Sequence, residues 1–135
     1  MRRRVEAWGP VVAWAALILL LTTMRVPSPD VGRLPVDKAG HLLLYAGLGA
    51  LLERARRRSD AAPAHRRGAV TGVGIAFAAL DELHQRWLPW RSASAADWLV
   101  DVLGLALGVV AAARFHAGGG SRGEAGGGEP RGGRD

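Results

Sequence analysis

Four apolar stretches divide the chain. They run over about 8–24, 36–52, 68–88 and 95–113, and charged or turn-forming residues separate them. Residues 10–22 hold no charged side chain, and residues 68–80 hold only Thr71 and glycines beside apolar groups. A helix that crosses the hydrocarbon core needs roughly 20 residues, within a range of about 17–25. The first and fourth stretches meet that length directly. The second and third meet it if Asp37, Lys38, Asp81 and Glu82 sit near the membrane surface. Pro10 falls near the start of the first stretch, where a helix tolerates proline. A soluble four-helix bundle would instead carry a polar stripe along the whole of each helix. Glycine inside these stretches also favours membrane spans over soluble helices. The pattern predicts an all-α, polytopic membrane protein, with four transmembrane helices in a single domain over residues 1–117.

Composition sharpens this picture in three places. The 135 residues suffice for one domain. The mean hydropathy of +0.08 averages over apolar runs, arginine clusters and a Gly-rich tail. Residues 118–135 of that tail cannot bury a core and are expected to be disordered. Cysteine is absent, which excludes disulfides, zinc–thiolate sites and thiol catalysis. The opening Met-Arg-Arg-Arg before an apolar run also fits a secretory signal. That run closes as Leu-Leu-Leu-Thr-Thr-Met-Arg without a small-x-small cleavage site, so an uncleaved first span is expected.

Charge orders the spans. Thirteen Lys/Arg residues precede span one, fill the loop between spans two and three (Arg54, Arg56, Arg57, Arg58, Arg66, Arg67) or follow span four. Five lie on the opposite side: Arg25, Arg33, Lys38, Arg86 and Arg91. An excess of Lys/Arg belongs in the cytoplasm. Both termini are therefore expected inside, in a multi-pass protein of the cell membrane. The net charge of +6 thus reads as a topology signal and not as a nucleic-acid surface. The basic patches also suit contact with anionic lipid head groups. Trp8 falls near the inner interface, and Trp87, Trp90 and Trp98 near the outer one, as an aromatic belt would have them.

The acids segregate the other way. Asp37, Asp81, Glu82, Asp97 and Asp101 map to the outer ends of spans two, three and four. A charged group at membrane depth costs about 2.5–3.5 kcal/mol on insertion scales, so these carboxylates need cations, donors or protons. Helical phase sorts them. Asp37, Lys38, His41 and Tyr45 form one stripe in span two. Asp81, His84 and Gln85 share a face in span three, with Glu82 beside it. Asp97 and Asp101 stand one turn apart in span four, and Gly104 and Gly108 continue their stripe. A Gly-x-x-x-Gly pair lets two helix backbones approach closely, so the acids are expected to face a neighbouring helix. Pro89 stops the third helix, and Ser92 or Ser94 can cap the fourth. Arg91 is a bidentate partner for Asp81, Asp97 or a ligand phosphate.

Blander roles fit the same residues. The acids, Lys38 and Arg91 would also serve as an ion-pair lattice that fixes helix packing, and His41 and Tyr45 as packing groups. His41 and His84 with carboxylates could bind a divalent metal. Their ligands would come from different spans, however, and no His-x-x-x-His pair is present, so neither a metal nor a cofactor is expected. Acid–base work by a carboxylate and a histidine is open. No serine or lysine stands out as an activated nucleophile.

Two separated segments carry a resemblance. Asp-Lys-Ala-Gly-His-Leu-Leu-Leu-Tyr-Ala-Gly-Leu-Gly (37–49) resembles the first signature of the VanZ-like family. Asp-Glu-Leu-His-Gln-Arg-Trp-Leu-Pro-Trp-Arg (81–91), followed by Ser-Ala-Ser-Ala-Ala-Asp-Trp-Leu-Val-Asp-Val-Leu-Gly (92–104), resembles its second. The match spans roughly residues 30–112. It implies a small integral membrane protein related to one linked with low-level resistance to the glycopeptide teicoplanin. It also implies functional weight at Asp37, Lys38, His41, Tyr45, Asp81, Glu82, Gln85, Pro89, Arg91, Asp97 and Asp101, to which helical phase adds His84. The resemblance implies asparagine at position 101, where this chain has Asp101.

Two functions of different class follow. In the first, the outer cluster binds an envelope ligand, either a glycopeptide, a cell-wall precursor or a lipid head group. Lys38 and Arg91 would then hold phosphate or carboxylate. In the second, a membrane enzyme acts on an envelope lipid or polyprenyl phosphate. Asp81 or Glu82 would be its base, His41 or His84 the partner, and Arg91 the charge stabiliser. A structural scaffold without ligand is a third reading.

Overall fold

Each apolar stretch forms a helix, and local chemistry sets where each one ends. A computed structural model describes residues 2–24, 36–59, 65–90 and 94–119. The helices are α1 (Arg2–Thr23), α2 (Val36–Arg58), α3 (His65–Gln85) and α4 (Ala95–Gly119). No strand occurs among the described residues. α2 runs six residues past the expected span end at 52, and Glu53 bonds to Arg56 and Arg57 along its last turns. α3 stops at Gln85, three residues before the expected 88. There the backbone tightens, as Trp87 N–H donates to His84 O and Leu88 N–H to Gln85 O. Pro89 follows, and a proline disfavours helical backbone in the residue before it. α4 begins after Ser94, whose hydroxyl accepts the Asp97 N–H at 3.1 Å. That is an N-cap, and it satisfies a donor that the helix itself cannot. α4 continues through residues 118 and 119 of the expected tail, and residues 120–135 lie outside the described residues.

Hydrogen bonds between helices fix an up-down-up-down order. Trp8 Nε1 near the start of α1 donates to Ser59 Oγ just after α2. Thr22 at the end of α1 meets Asp81 near the end of α3. Lys38 and His41 at the start of α2 meet Asp97 and Asp101 at the start of α4. The arginine-rich segments therefore share one end of the bundle and the acids share the other.

The closest packing joins α2 and α4, which run parallel. A Cβ added to Gly104 would overlap the Leu42 carbonyl oxygen, and one added to Gly108 the carbonyl oxygen of Ala46. Gly49 returns the contact from α2, where a Cβ would overlap the Leu105 carbonyl oxygen. The Gly-x-x-x-Gly stripe thus faces a neighbouring backbone, as expected from the sequence. α1 leans on α2 through the Trp14 indole, which donates to Leu44 O at 2.8 Å. Val11, Ile18, Tyr45, Leu48, Leu52, Ala78 and Leu105 form the apolar core.

The distribution of polarity is inverted relative to a soluble bundle. Val12, Leu20, Leu43, Val73, Leu80, Leu99 and Leu103 are exposed, while His41, Asp81, Gln85 and Asp101 are buried. α1 and α4 are long and apolar enough to cross a membrane, and only 22% and 28% of their apolar windows is buried. A core helix of a soluble protein would be mostly covered.

Candidate functional site: the polar interior at one end of the bundle

Three side-chain groups fill the acidic end. The first centres on Asp81, which is 1% exposed. Its Oδ1 lies 2.9 Å from Thr22 Oγ1. Its Oδ2 accepts the Tyr45 hydroxyl at 3.0 Å and Gln85 Nε2 at 3.3 Å. Donors from α1, α2 and α3 thus converge on one carboxylate, and all three are neutral. Thr22 Oγ1 also lies 3.0 Å from Ile18 O, and its single proton serves one oxygen at a time.

The second group is His41 with Asp101. His41 Nδ1 lies 2.9 Å from Asp101 Oδ1, and both side chains are buried. Asp81 and Asp97 lie within electrostatic reach of Asp101. The third group is nearer the surface. Lys38 Nζ donates to Asp97 Oδ1 at 2.5 Å, and Ser94 Oγ donates to Asp97 Oδ2 at 2.7 Å. The Ser94 N–H donates to Glu82 Oε1, which ties the start of α4 to the end of α3.

Asp37, His84 and Pro89 lie at the surface of this end. Asp37 is exposed at the start of α2. His84 is exposed and meets Thr23 Oγ1 at 3.3 Å instead of a carboxylate. Pro89 is exposed in the turn after α3. Arg91 and Ser92 lie outside the described residues. No group of three or more His, Asp or Glu among the described residues is placed to hold a metal ion. The pairing of acids with histidines differs from the sequence expectation. Asp101 is the partner of His41, whereas Asp81 is held by hydroxyls and an amide.

Buried polar groups in native proteins are nearly always hydrogen-bonded, so orphans call for an account. Among the described residues three buried atoms have no such partner: Glu82 Oε2, Asp101 Oδ2 and Trp98 Nε1. Two of these residues, Glu82 and Trp98, line an open groove of about 490 Å³ between α3 and α4.

Two participants escaped the sequence reading. Thr22 continues the buried stripe of Ala7, Val11 and Ile18 on α1, and that spacing was the available signal. At the opposite end, Glu53 is 1% exposed and receives Arg56, Arg57 and Arg67 at 2.7, 2.7 and 3.2 Å. The Arg56 guanidinium, bonded to Glu53, is the main cause holding that carboxyl down at about 2. A single acid within an arginine run was the cue. This cluster joins α2 to α3 across the basic end.

Two helices long and apolar enough to cross a membrane, in an α-helical bundle with a polar interior at one end, fit a membrane protein. The VanZ/LLP1 family model matches residues 5–116, and the chain belongs to that family. Neither a curated protein nor a solved structure matches the chain.

Proposed function

We propose that this VanZ-like protein crosses the cell membrane four times, with its arginine-rich end in the cytoplasm. The acidic end would then face the outer leaflet and bind an envelope ligand there: a glycopeptide, a cell-wall precursor or a lipid head group. The observation that carries this reading is the pair of buried carboxylate oxygens without partners, Glu82 Oε2 and Asp101 Oδ2. Burying a carboxylate oxygen without a donor is costly, and a ligand donor to that oxygen removes the cost. The thirteen-to-five division of Lys/Arg supports the orientation. Membership of the VanZ/LLP1 family supports a role in glycopeptide resistance as part of this proposal.

The test is saturable binding by the full chain in nanodiscs, with teicoplanin and with a polyprenyl-phosphate cell-wall precursor as separate probes. Asp81→Asn and His41→Ala are expected to weaken binding without dispersing the protein. Absence of saturable binding to both probes, together with equal affinity for membrane lipids of different head group, overturns the reading.

The His41–Asp101 contact favours a second reading, a membrane enzyme acting on an envelope lipid or polyprenyl phosphate. A carboxylate that orients a histidine is the arrangement general acid–base catalysis uses. Turnover of labelled polyprenyl phosphate, lost in His41→Ala, supports this reading. Undiminished turnover in His41→Ala excludes it.

A further inference from the structure

We infer that the groove between α3 and α4 is a head-group site for a phosphoethanolamine lipid of the outer leaflet. This names the ligand class within the binding function proposed above and rests on that reading.

The groove has four polar residues and an apolar wall. Ala79, Leu83 and Ala95 supply the wall. Glu82, Arg86, Ser94 and Trp98 supply the polar features, and Ser94 is already engaged with Glu82 Oε1 and Asp97. Glu82 is 8% exposed, and its Oε2 has no partner. Trp98 Nε1 is likewise a buried donor without an acceptor. Arg86 continues the turn of α3, its N–H bonded to Glu82 O, and its side chain is exposed. Four residues of helix separate Arg86 from Glu82, a rise of about 6 Å. Such a spacing usually brings opposite charges together, yet no ion pair joins these two within 4.0 Å. Glu82 and Trp98, each with a buried polar atom that has no partner, and the exposed Arg86 therefore line one groove.

The ligand must supply the complement of each. A buried carboxylate oxygen calls for a strong donor, best a positive one. A guanidinium calls for phosphate. Phosphoethanolamine carries both, two carbons apart, in one net-neutral group. A lipid with net negative charge would enter beside Glu82, Asp97 and Asp101, carboxylates balanced nearby by Lys38. Phosphatidylcholine brings an ammonium without N–H groups, which cannot donate to Oε2. The volume suits a head group, since small-ligand sites span about 300–1,000 Å³. The groove is open, and Leu83 at its wall is half exposed, as are Leu80 and Leu99 on the flanking helix faces. Acyl chains would lie along that apolar exterior while the ammonium reaches inward to Glu82.

The experiment uses tryptophan fluorescence of the full chain in mixed micelles, quenched by lipids with brominated acyl chains. Phosphatidylethanolamine, phosphatidylglycerol and phosphatidylcholine are compared, and subtraction of a Trp98→Phe trace isolates the indole in the groove. Phosphatidylethanolamine is expected to saturate this signal at a mole fraction about tenfold below the other two, the worth of one charge-assisted hydrogen bond. Glu82→Gln is expected to erase that lead, and Arg86→Ala to weaken phosphatidylethanolamine and phosphatidylglycerol alike. Soluble glycerophosphoethanolamine should not compete at equal concentration, because it lacks the acyl chains.

Equal quenching by the three lipids overturns the inference, and so does a lead for phosphatidylglycerol. Full competition by the soluble head group removes the lipid from it. If any of these occurs while teicoplanin or polyprenyl-phosphate binding remains sensitive to Asp81→Asn, only the groove assignment falls. If that binding is absent too, the broader proposal falls with it.

Discussion

His41 Nδ1 stands 2.9 Å from Asp101 Oδ1, and this buried contact joins the second turns of α2 and α4. One turn further along, Gly104 lies against the Leu42 backbone. The polar contact and the backbone contact therefore set a single register between two parallel helices. Asp101→Ala leaves the His41 nitrogen without its partner, at an expected cost of about 1–3 kcal/mol. Asp101→Asn keeps an oxygen acceptor at that position and is expected to cost less. Thermal unfolding of purified protein in detergent ranks the two, and the reverse order would show that the contact needs the carboxylate charge.

Glycine substitutions separate close approach from helix propensity. Gly108→Leu forces a side chain into the Ala46 carbonyl, and the backbone opposite has no rotamer with which to yield. Overpacking costs typically about 1–3 kcal/mol, and the upper end is expected here. Gly72 on α3 is exposed, with nothing within 4 Å of its missing Cβ. Gly72→Ala is expected to raise stability by about 0.5–1 kcal/mol, the usual gain in a helix. Opposite shifts in melting temperature would bear out both.

Glu53 makes the basic end sensitive to acid. Its folded value of about 2 lies below the ordinary 4.5. A depressed acid adds stability above its unfolded value and loses it as pH falls through the folded one. The window is therefore from about 4.5 down to about 2, and the gap corresponds to roughly 3 kcal/mol at most. Melting curves across that window should show a steeper loss for the unaltered chain than for Glu53→Gln. Equal slopes would mean that the three arginines do not hold Glu53 as drawn.

Asp81 has three neutral neighbours, so each should be worth little alone. Thr22→Val and Tyr45→Phe each leave two donors and should cost about 0.5–1.5 kcal/mol. The double substitution is expected to cost more than the sum, because the carboxylate is then nearly orphaned. A double-mutant cycle on unfolding free energies measures that excess.

Orientation is open to labelling because the chain has no cysteine. A cysteine replacing Trp87, exposed at the acidic end, is expected to react with a membrane-impermeant maleimide on intact cells. One replacing exposed His116, near the end of α4, is expected to react only after lysis. The reverse pattern would invert the topology.

Local pattern determined the number and approximate extent of the helices, the segregation of arginines from acids and the inward face of the glycine stripe. Each depends on composition within a few turns, which hydropathy and helical phase report directly. A serine cap at Ser92 or Ser94 was legible for the same reason, and the structure shows Ser94 in that role. Partner choice was not legible. Whether Asp81 or Asp101 meets His41 depends on how far each helix is rotated and how deep it sits, and no single helix encodes that. The close approach of α2 and α4 at Gly49, Gly104 and Gly108 set that rotation. It gave His41 to Asp101, while the packing of α3 beside α1 and α2 left Asp81 to Thr22, Tyr45 and Gln85, with His84 exposed. The orphaned oxygens of Glu82 and Asp101 arise in the same way, since burial belongs to the assembled bundle.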